Sequence, residues 1–265
     1  MANAVTTEAA THRAELRARL FLRAVLPLLE TVIEHSPEQA RPFRDVSERV
    51  RFSLRASEQS ATLCFGAGAL RVLPDDTEKA SVDFQFPDVA ALNRFFSGGF
   101  TLPRVVGLSH PLLIAKVLRL LLTLQVLKPG PAPSEAAERA LRVRLVLRLI
   151  SRALCELHWG GFAPMCELVE ASPERVYQWS VEREGIAMWL RMQRGKVQCG
   201  DGVHPHRAPF VLFSFPDVDA ALRVFGSSEH MTGVRDGSVQ TFGSPEYTRK
   251  VAHLMQCMDQ LLMEG

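Results

Sequence analysis

The sequence predicts an α+β protein built from two pseudo-symmetric copies of one helix-and-strand unit, and three observations lead there. The first is a repeated stretch. Val82-Asp-Phe-Gln-Phe-Pro-Asp-Val-Ala-Ala-Leu-Asn-Arg-Phe-Phe96 returns as Val211-Leu-Phe-Ser-Phe-Pro-Asp-Val-Asp-Ala-Ala-Leu-Arg-Val-Phe225, with nine of fifteen positions identical. Fainter echoes flank it, Arg19–Arg23 against Arg144–Arg148 and Glu48-Arg-Val50 against Glu174-Arg-Val176. Their offsets grow from 125 through 126 to 129, as small loop insertions would produce. The second is that each copy contains both period-2 and period-3.6 apolar patterns. The third is a single proline-rich break, Lys128-Pro-Gly-Pro-Ala-Pro-Ser134, which neither a helix nor a central strand would hold. The domains expected are therefore residues 1–127 and 135–265, joined by a linker at 128–134.

In the first copy the leucines between Arg13 and His35 indicate a leading helix, kinked or split by Pro27. Arg49–Arg55 alternates as a strand with one wet and one dry face. Leu63 with Phe65, and Leu70 with Val72, mark two short strands around the Gly66-Ala-Gly68 turn. Val82, Phe84 and Phe86 alternate again until Pro87, and Asp88 opens a short helix stopped at Gly98-Gly99. Ser109 is a possible cap for a closing helix over Leu112–Leu127 with Pro111 in its first turn.

The second copy repeats the plan. Ser134 is expected to cap a long helix through Leu157, broken at Gly160-Gly161. Strands follow at Tyr177–Arg183, Ile186–Met192, Lys196–Cys199 and Phe210–Phe215, then a helix from Pro216-Asp217 and a last strand over Gly237–Gly243. On the closing helix from Ser244-Pro245, Val251, Leu254, Met255, Met258, Leu261 and Leu262 share one face.

Composition narrows the function. An apolar share of 47% suits two packed cores. The net charge of +2 divides into +3 for residues 1–133 and −1 for the rest, without the basic excess that nucleic acid binding demands. Five cysteines, odd in number and scattered, fit reduced thiols in a cytoplasmic protein. Neither the run from Leu20 nor Leu112–Leu127 reads as a secretion signal or a membrane span.

The order of elements resembles the sterol carrier protein type 2 family. The resemblance rests on a turn glycine before a strand (Gly195-Lys-Val-Gln) and a strand running into an acidic helix start (Phe213-Ser-Phe-Pro-Asp217). A glycine–strand–glycine element (Gly237 to Gly243) then precedes the final amphipathic helix. It covers roughly 174–265, and less fully 48–127. There Gly107 is present but a second glycine is missing before Ser109-His110-Pro111, so the last strand of the first copy is expected to be shortened or lost. The resemblance implies two sheets of about five strands, mainly antiparallel or mixed and twisted, each covered by helices. It also implies non-catalytic binding or carriage of a fatty acyl, sterol-like or other lipid, with no cofactor, no metal and no catalytic residue.

A pocket between sheet and helices would be lined by Phe84, Phe86, Phe95, Phe96, Leu113 and Val117 in the first copy. In the second it would be lined by Phe213, Phe215, Phe225, Val251, Leu254, Met255 and Met258. The same side chains would equally fill an ordinary core. The alternative function is a scaffold without a pocket, binding a protein partner or a second copy of itself through its leading helices, or an accessory to an enzyme. Cys199, Asp201, His204 and His206 form the one cluster of reactive side chains, and the bland reading makes it an exposed hairpin loop. Arg144, Arg148 and Arg152 form a basic stripe, read as a solvated helix face, with peripheral contact to an anionic membrane as the alternative. Trp189 falls out of phase with Ile186, Met188, Leu190 and Met192, so it is expected on the opposite face of its strand, buried between the copies or exposed as a partner anchor.

Overall fold

The structure, a computed structural model, describes residues 2–128, 130–226 and 238–263, with the side chains of 2–7 excepted. Pro129 and Gly237, used in the sequence reading, lie outside them. The chain forms two compact units, Met1–Gln125 with Asp259–Gly265, and Val126–Met258. The protein is α+β, with two five-stranded mixed sheets and covering helices.

In the first unit α1 (Ala2–Leu20) runs into a π-helical turn at Phe21–Val25, and α2 (Leu28–His35) follows Pro27. Proline has no N–H to give the helix ladder, and its ring would strike the carbonyl four residues back. The π-turn absorbs this, with Leu26 N–H donating to Phe21 O at 2.9 Å. A short α3 (Pro37–Ala40) leads to β1 (Arg49–Leu54), β2 (Ser60–Gly66), β3 (Ala69–Pro74) and β4 (Val82–Phe86). Then come α4 (Val89–Phe96), β5 (Arg104–Val106) and α5 (Pro111–Leu122). The sheet order is β3-β2-β1-β4-β5, with β1 and β4 parallel and the other pairs antiparallel. Edge strand β3 is shielded by α2, whose Glu30 accepts from Val72 N–H at 2.7 Å. His110, not Ser109, stands at the cap position of α5, and it makes no side-chain cap bond.

In the second unit α6 (Ala136–Trp159) and α7 (Ala163–Glu170) precede β6 (Arg175–Val181), β7 (Ile186–Gln193), β8 (Lys196–Asp201) and β9 (Val211–Phe215). α8 (Val218–Gly226), β10 (Gln240–Gly243) and α9 (Pro245–Met263) as far as Met258 complete it. The order β8-β7-β6-β9-β10 has the same pattern, one parallel pair (β6 with β9) among antiparallel ones. Ser134 does not cap α6: Glu135 holds that position without a side-chain bond. The proline-rich segment is instead tied to α6, where buried Arg142 donates to Lys128 O (3.2 Å) and Pro131 O (3.1 Å). α7 was not foreseen, although Met165, Leu168 and Val169 have helical spacing and a proline sits in its first turn.

The two sheets agree in detail. Val50, Leu63 and Val72 occupy one row of the first, and Tyr177, Leu190 and Cys199 the corresponding row of the second, each pair 127 residues apart. The Glu-Arg-Val echo, at offset 126, is therefore one residue out of register with the hydrogen-bonded frame, and along a strand one residue exchanges the faces. Both β2–β3 and β7–β8 turn through two left-handed residues, Ala67-Gly68 (φ 50 and 76) and Arg194-Gly195 (φ 46 and 77). That geometry matches the twist of the flanking strands. Asp88 accepts from Ala91 N–H, and Asp217 from Ala220 N–H, each at 2.8 Å.

The last strand of the first unit is present, shorter than β10 by one residue. Gly107 is the counterpart of Gly243. A Cβ on Gly107 would lie 2.1 Å from Ser81 O, and one on Gly243 2.0 Å from Phe210 O, in both cases the carbonyl just before the neighbouring strand.

Candidate functional site

The second unit carries a groove of about 260 Å³ between α7 and α9. α6 ends at Gly160-Gly161, where Phe162 N–H reaches back to Leu157 O at 2.9 Å, and the chain re-enters α7 at once. α7 turns Met165, Leu168 and Val169 inward. α9 starts after Gly243 and buries Val251, Leu254, Met258 and Leu261. Pro164, Glu167, Leu168 and Ala171 line one wall of the groove, and Tyr247, Lys250, His253 and Leu254 the other.

The Tyr247 ring is held from several sides. The Arg175 guanidinium lies 3.9 Å from its centroid, the Phe210 ring 5.4 Å away edge-on, and the Lys250 ammonium 4.8 Å away. Lys250 also pairs with Glu246 at 2.6 Å, one helical turn back. This pairing, through hydrogen bond and charge, raises the Lys250 pKa and lowers that of Glu246. The groove thus offers apolar surface from Leu168, Leu254 and the Tyr247 ring, with Lys250, Glu167 and His253 beside it. Such a lining suits a small amphiphile.

A second cleft, about 310 Å³, opens on the first sheet and includes Arg51, Ser53, Ser60, Asp75, Asp76 and Asp83 in its lining. Its three aspartates are engaged locally: Asp75 with Arg23, Asp76 with Arg49 at 2.7 Å, and Asp83 with the Ser53 hydroxyl at 2.8 Å.

The phenylalanines singled out by sequence pack on one another. Phe84 stacks on Phe52 at 4.9 Å, Phe86 meets Phe95 at 5.3 Å, and Phe96 touches Phe95, Phe52 and Phe21. Leu113 and Val117 form the buried side of α5. Phe213 stacks on fully buried Trp179 at 5.6 Å, and Phe215 meets Phe225 at 5.3 Å. Val251 and Met258 are buried on α9, with Met255 half-buried beside them. Of these residues Leu254 also lines the groove. Leu168 and Tyr247 were missed because α7 was missed. The i, i+3 spacing of Tyr247, Lys250 and His253 on an amphipathic helix was the available signal.

The Cys199–His206 cluster does not assemble. Side chains alternate along β8, so Cys199 and Asp201 face the helices while Gly200 faces away. Cys199 meets the Cys155 thiol of α6. Their hydrogen bond raises the Cys155 pKa, with burial adding to it, and lowers that of Cys199. Asp201 pairs with Arg148 at 3.6 Å. His204 folds back over the opposite face, edge-on to Trp189 at 4.8 Å. No group of three or more His, Cys, Asp or Glu side chains suited to a metal occurs among the described residues.

Trp189 points away from the helices, as its phase required, but it is covered from within its own unit by His204 and by the bare backbone of Gly200. A Cβ on Gly200 would lie 2.4 Å from the indole. The arginine stripe is not a solvated face either. Arg144, Arg148 and Arg152 are all partly enclosed, and the Arg148 side chain is 11% exposed.

No helix among the described residues is long and apolar enough to cross a membrane. No family model matches the chain, and no curated protein matches it. Among solved structures, similarity extends to the stereoselective inverting sec-alkylsulfatase Pisa1 from Pseudomonas sp., at 12% identity and a TM-score of 0.23, covering 54% of this chain and 28% of that one. A double mutant of the same enzyme gives 13% identity and a TM-score of 0.26, covering 64% of this chain and 32% of that one. The chain thus spans about a third of those enzymes' length or less, and likeness this slight carries no functional argument.

Proposed function

We propose that the protein is a tandem pair of sterol-carrier-like units that binds a small amphiphile without chemistry, in the groove of the second unit. The observation that carries this is the groove itself, an apolar bed of Leu168, Leu254 and Tyr247 with the Lys250 ammonium at hand. The shared strand order, the paired left-handed turns and the paired aspartate caps support the tandem reading. At about 260 Å³ the groove lies just below the usual range for drug-sized ligands. A short acyl chain with an anionic head fits it better than a sterol.

The first unit favours the scaffold reading for itself, because stacked phenylalanines fill the space between its sheet and helices. Division of labour follows, with one unit binding and the other supporting.

Titration with a fluorescent medium-chain fatty acid, beside mass spectrometry of the organic extract, tests the proposal. Saturable binding is expected, weakened at least tenfold by Leu168→Trp, which fills the groove. No saturable binding, or binding untouched by that substitution, rejects it.

A further inference from the structure

Between Asp88 and Glu135 the sequence contains no acidic residue, while Arg94, Arg104, Lys116, Arg119 and Lys128 all fall there. The same stretch concentrates exposed apolar side chains. Among the described residues, seven of the twelve large hydrophobics left exposed lie between Phe100 and Leu122. Phe100 is 88% exposed, Leu102 78%, Leu112 77% and Leu108 71%. Monomeric proteins rarely leave apolar surface gathered in this way without a use for it.

Phe100 to Leu112 flank the edge strand of the first unit, and α5 carries the remainder on towards α3, where Arg119 meets Glu38. β5 is the terminal strand of its sheet, pairs with β4 alone, and is about 10 Å long. Phe100 and Leu102 precede it, and Leu108 and Leu112 follow it at the entry to α5. Along α5, Leu113, Val117 and Leu120 turn inward, leaving Leu112, Leu118 and Leu122 outside over about 15 Å of helix. Arg104 stands on the strand, and Lys116 and Arg119 on the helix. Arg119 reaches Glu38 only at 4.0 Å, with both side chains exposed, so its charge remains open to other partners.

We propose that this edge docks on an anionic phospholipid bilayer, with Phe100, Leu102, Leu108 and Leu112 among the acyl chains and Arg104, Lys116 and Arg119 on the headgroups. Charge complementarity selects the occupant, because a span holding only basic charges, interleaved with projecting apolar groups, matches a surface of phosphates over hydrocarbon. The shape agrees. The apolar groups project from loops and a helix ridge, and the two clefts described above are lined by residues outside this span. The proposal is independent of the groove between α7 and α9.

Co-sedimentation of the full chain with phosphatidylcholine vesicles, with and without 30% phosphatidylglycerol, tests it. Binding to the anionic vesicles is expected to be at least tenfold tighter than to neutral ones and to weaken in 0.5 M salt. Each basic side chain near the surface contributes roughly fivefold. The triple reversal Arg104→Glu, Lys116→Glu, Arg119→Glu should therefore abolish binding, as should Phe100→Ser with Leu102→Ser and Leu108→Ser. All of these side chains but half-buried Lys116 are exposed, and unchanged circular dichroism will show that the variants fold. Failure to bind anionic vesicles, binding insensitive to both variants, or self-association at this edge in place of vesicle binding overturns the proposal.

Discussion

The faces of the two sheets that point away from the helices differ in character. In the first, Arg51 sits between Thr62 and Asp83 across three strands; in the second, the same row reads Gln178, Trp189 and Leu212. The first is polar and open as a cleft. The second carries Trp189 and Leu212 beside Gln178, and the loop that bears His204 lies over Trp189. Yet the hydrogen-bonded frame beneath is the same. Strand order and register are therefore held by inward-facing residues and turns, while the outward row is free to change character.

The sharpest way to break this equivalence is at Gly107 and Gly243. Both have positive φ and both press against a carbonyl, so alanine at either should cost about 3 kcal/mol or more. All three tryptophans lie in the second unit. Tryptophan fluorescence during urea unfolding should accordingly shift for Gly243→Ala, whereas circular dichroism should register both variants. A harmless Gly107→Ala would show that the first unit does not share the device.

A smaller test concerns the helix starts. Asp88→Ala and Asp217→Ala should each cost about 1 kcal/mol, and by similar amounts, since both accept the cap amide at 2.8 Å and the exposed Arg183 facing Asp217 at 3.4 Å adds little. Unequal losses in denaturant midpoint would mean that the two short helices are supported differently.

The smallest expected effect reports on the roof of the second sheet. His204 is held neutral: its Nδ1 accepts from the His206 and Arg207 amides, and burial, with Arg191 and His206 adding, lowers its pKa below 6.5. A lowered histidine pKa means that the unfolded chain takes up the proton first. The stabilisation is complete above pH 6.5 and is lost as the pH falls from there through the folded value. Denaturation midpoints followed between pH 7.5 and 5 should decline, and His204→Asn, which keeps an acceptor but does not titrate, should flatten the decline.

Much of this architecture was legible in the sequence because its causes are local. Alternation announced β1, β4 and β7, the repeat announced β9, and Pro-Asp announced α4 and α8. Other features depended on distant parts of the chain. The pairing of Gly107 with Gly243 depends on a carbonyl of the neighbouring strand. The Glu-Arg-Val echo misled because similarity in letters need not follow register. The groove stayed hidden for a related reason: Leu168 and Tyr247 become neighbours only when α7 and α9 are brought side by side. Cys199 and His204, five residues apart, looked like one cluster until the pleat of β8 sent them to opposite faces.

The π-turn at Phe21–Val25 has a consequence for how the leading helix tolerates change. Such a turn holds one residue more than a regular one, and each residue of a helix advances the azimuth by about 100°. Removing a single amino acid there would leave one ordinary turn in place of the wide one, and the residues on either side would keep their azimuth. Leu16 and Leu20 would stay in the interior. The same deletion within α1, where no wide turn absorbs it, would swing everything upstream by over a quarter of a revolution. Length is consequently more forgiving at Phe21–Val25 than in the helix before it.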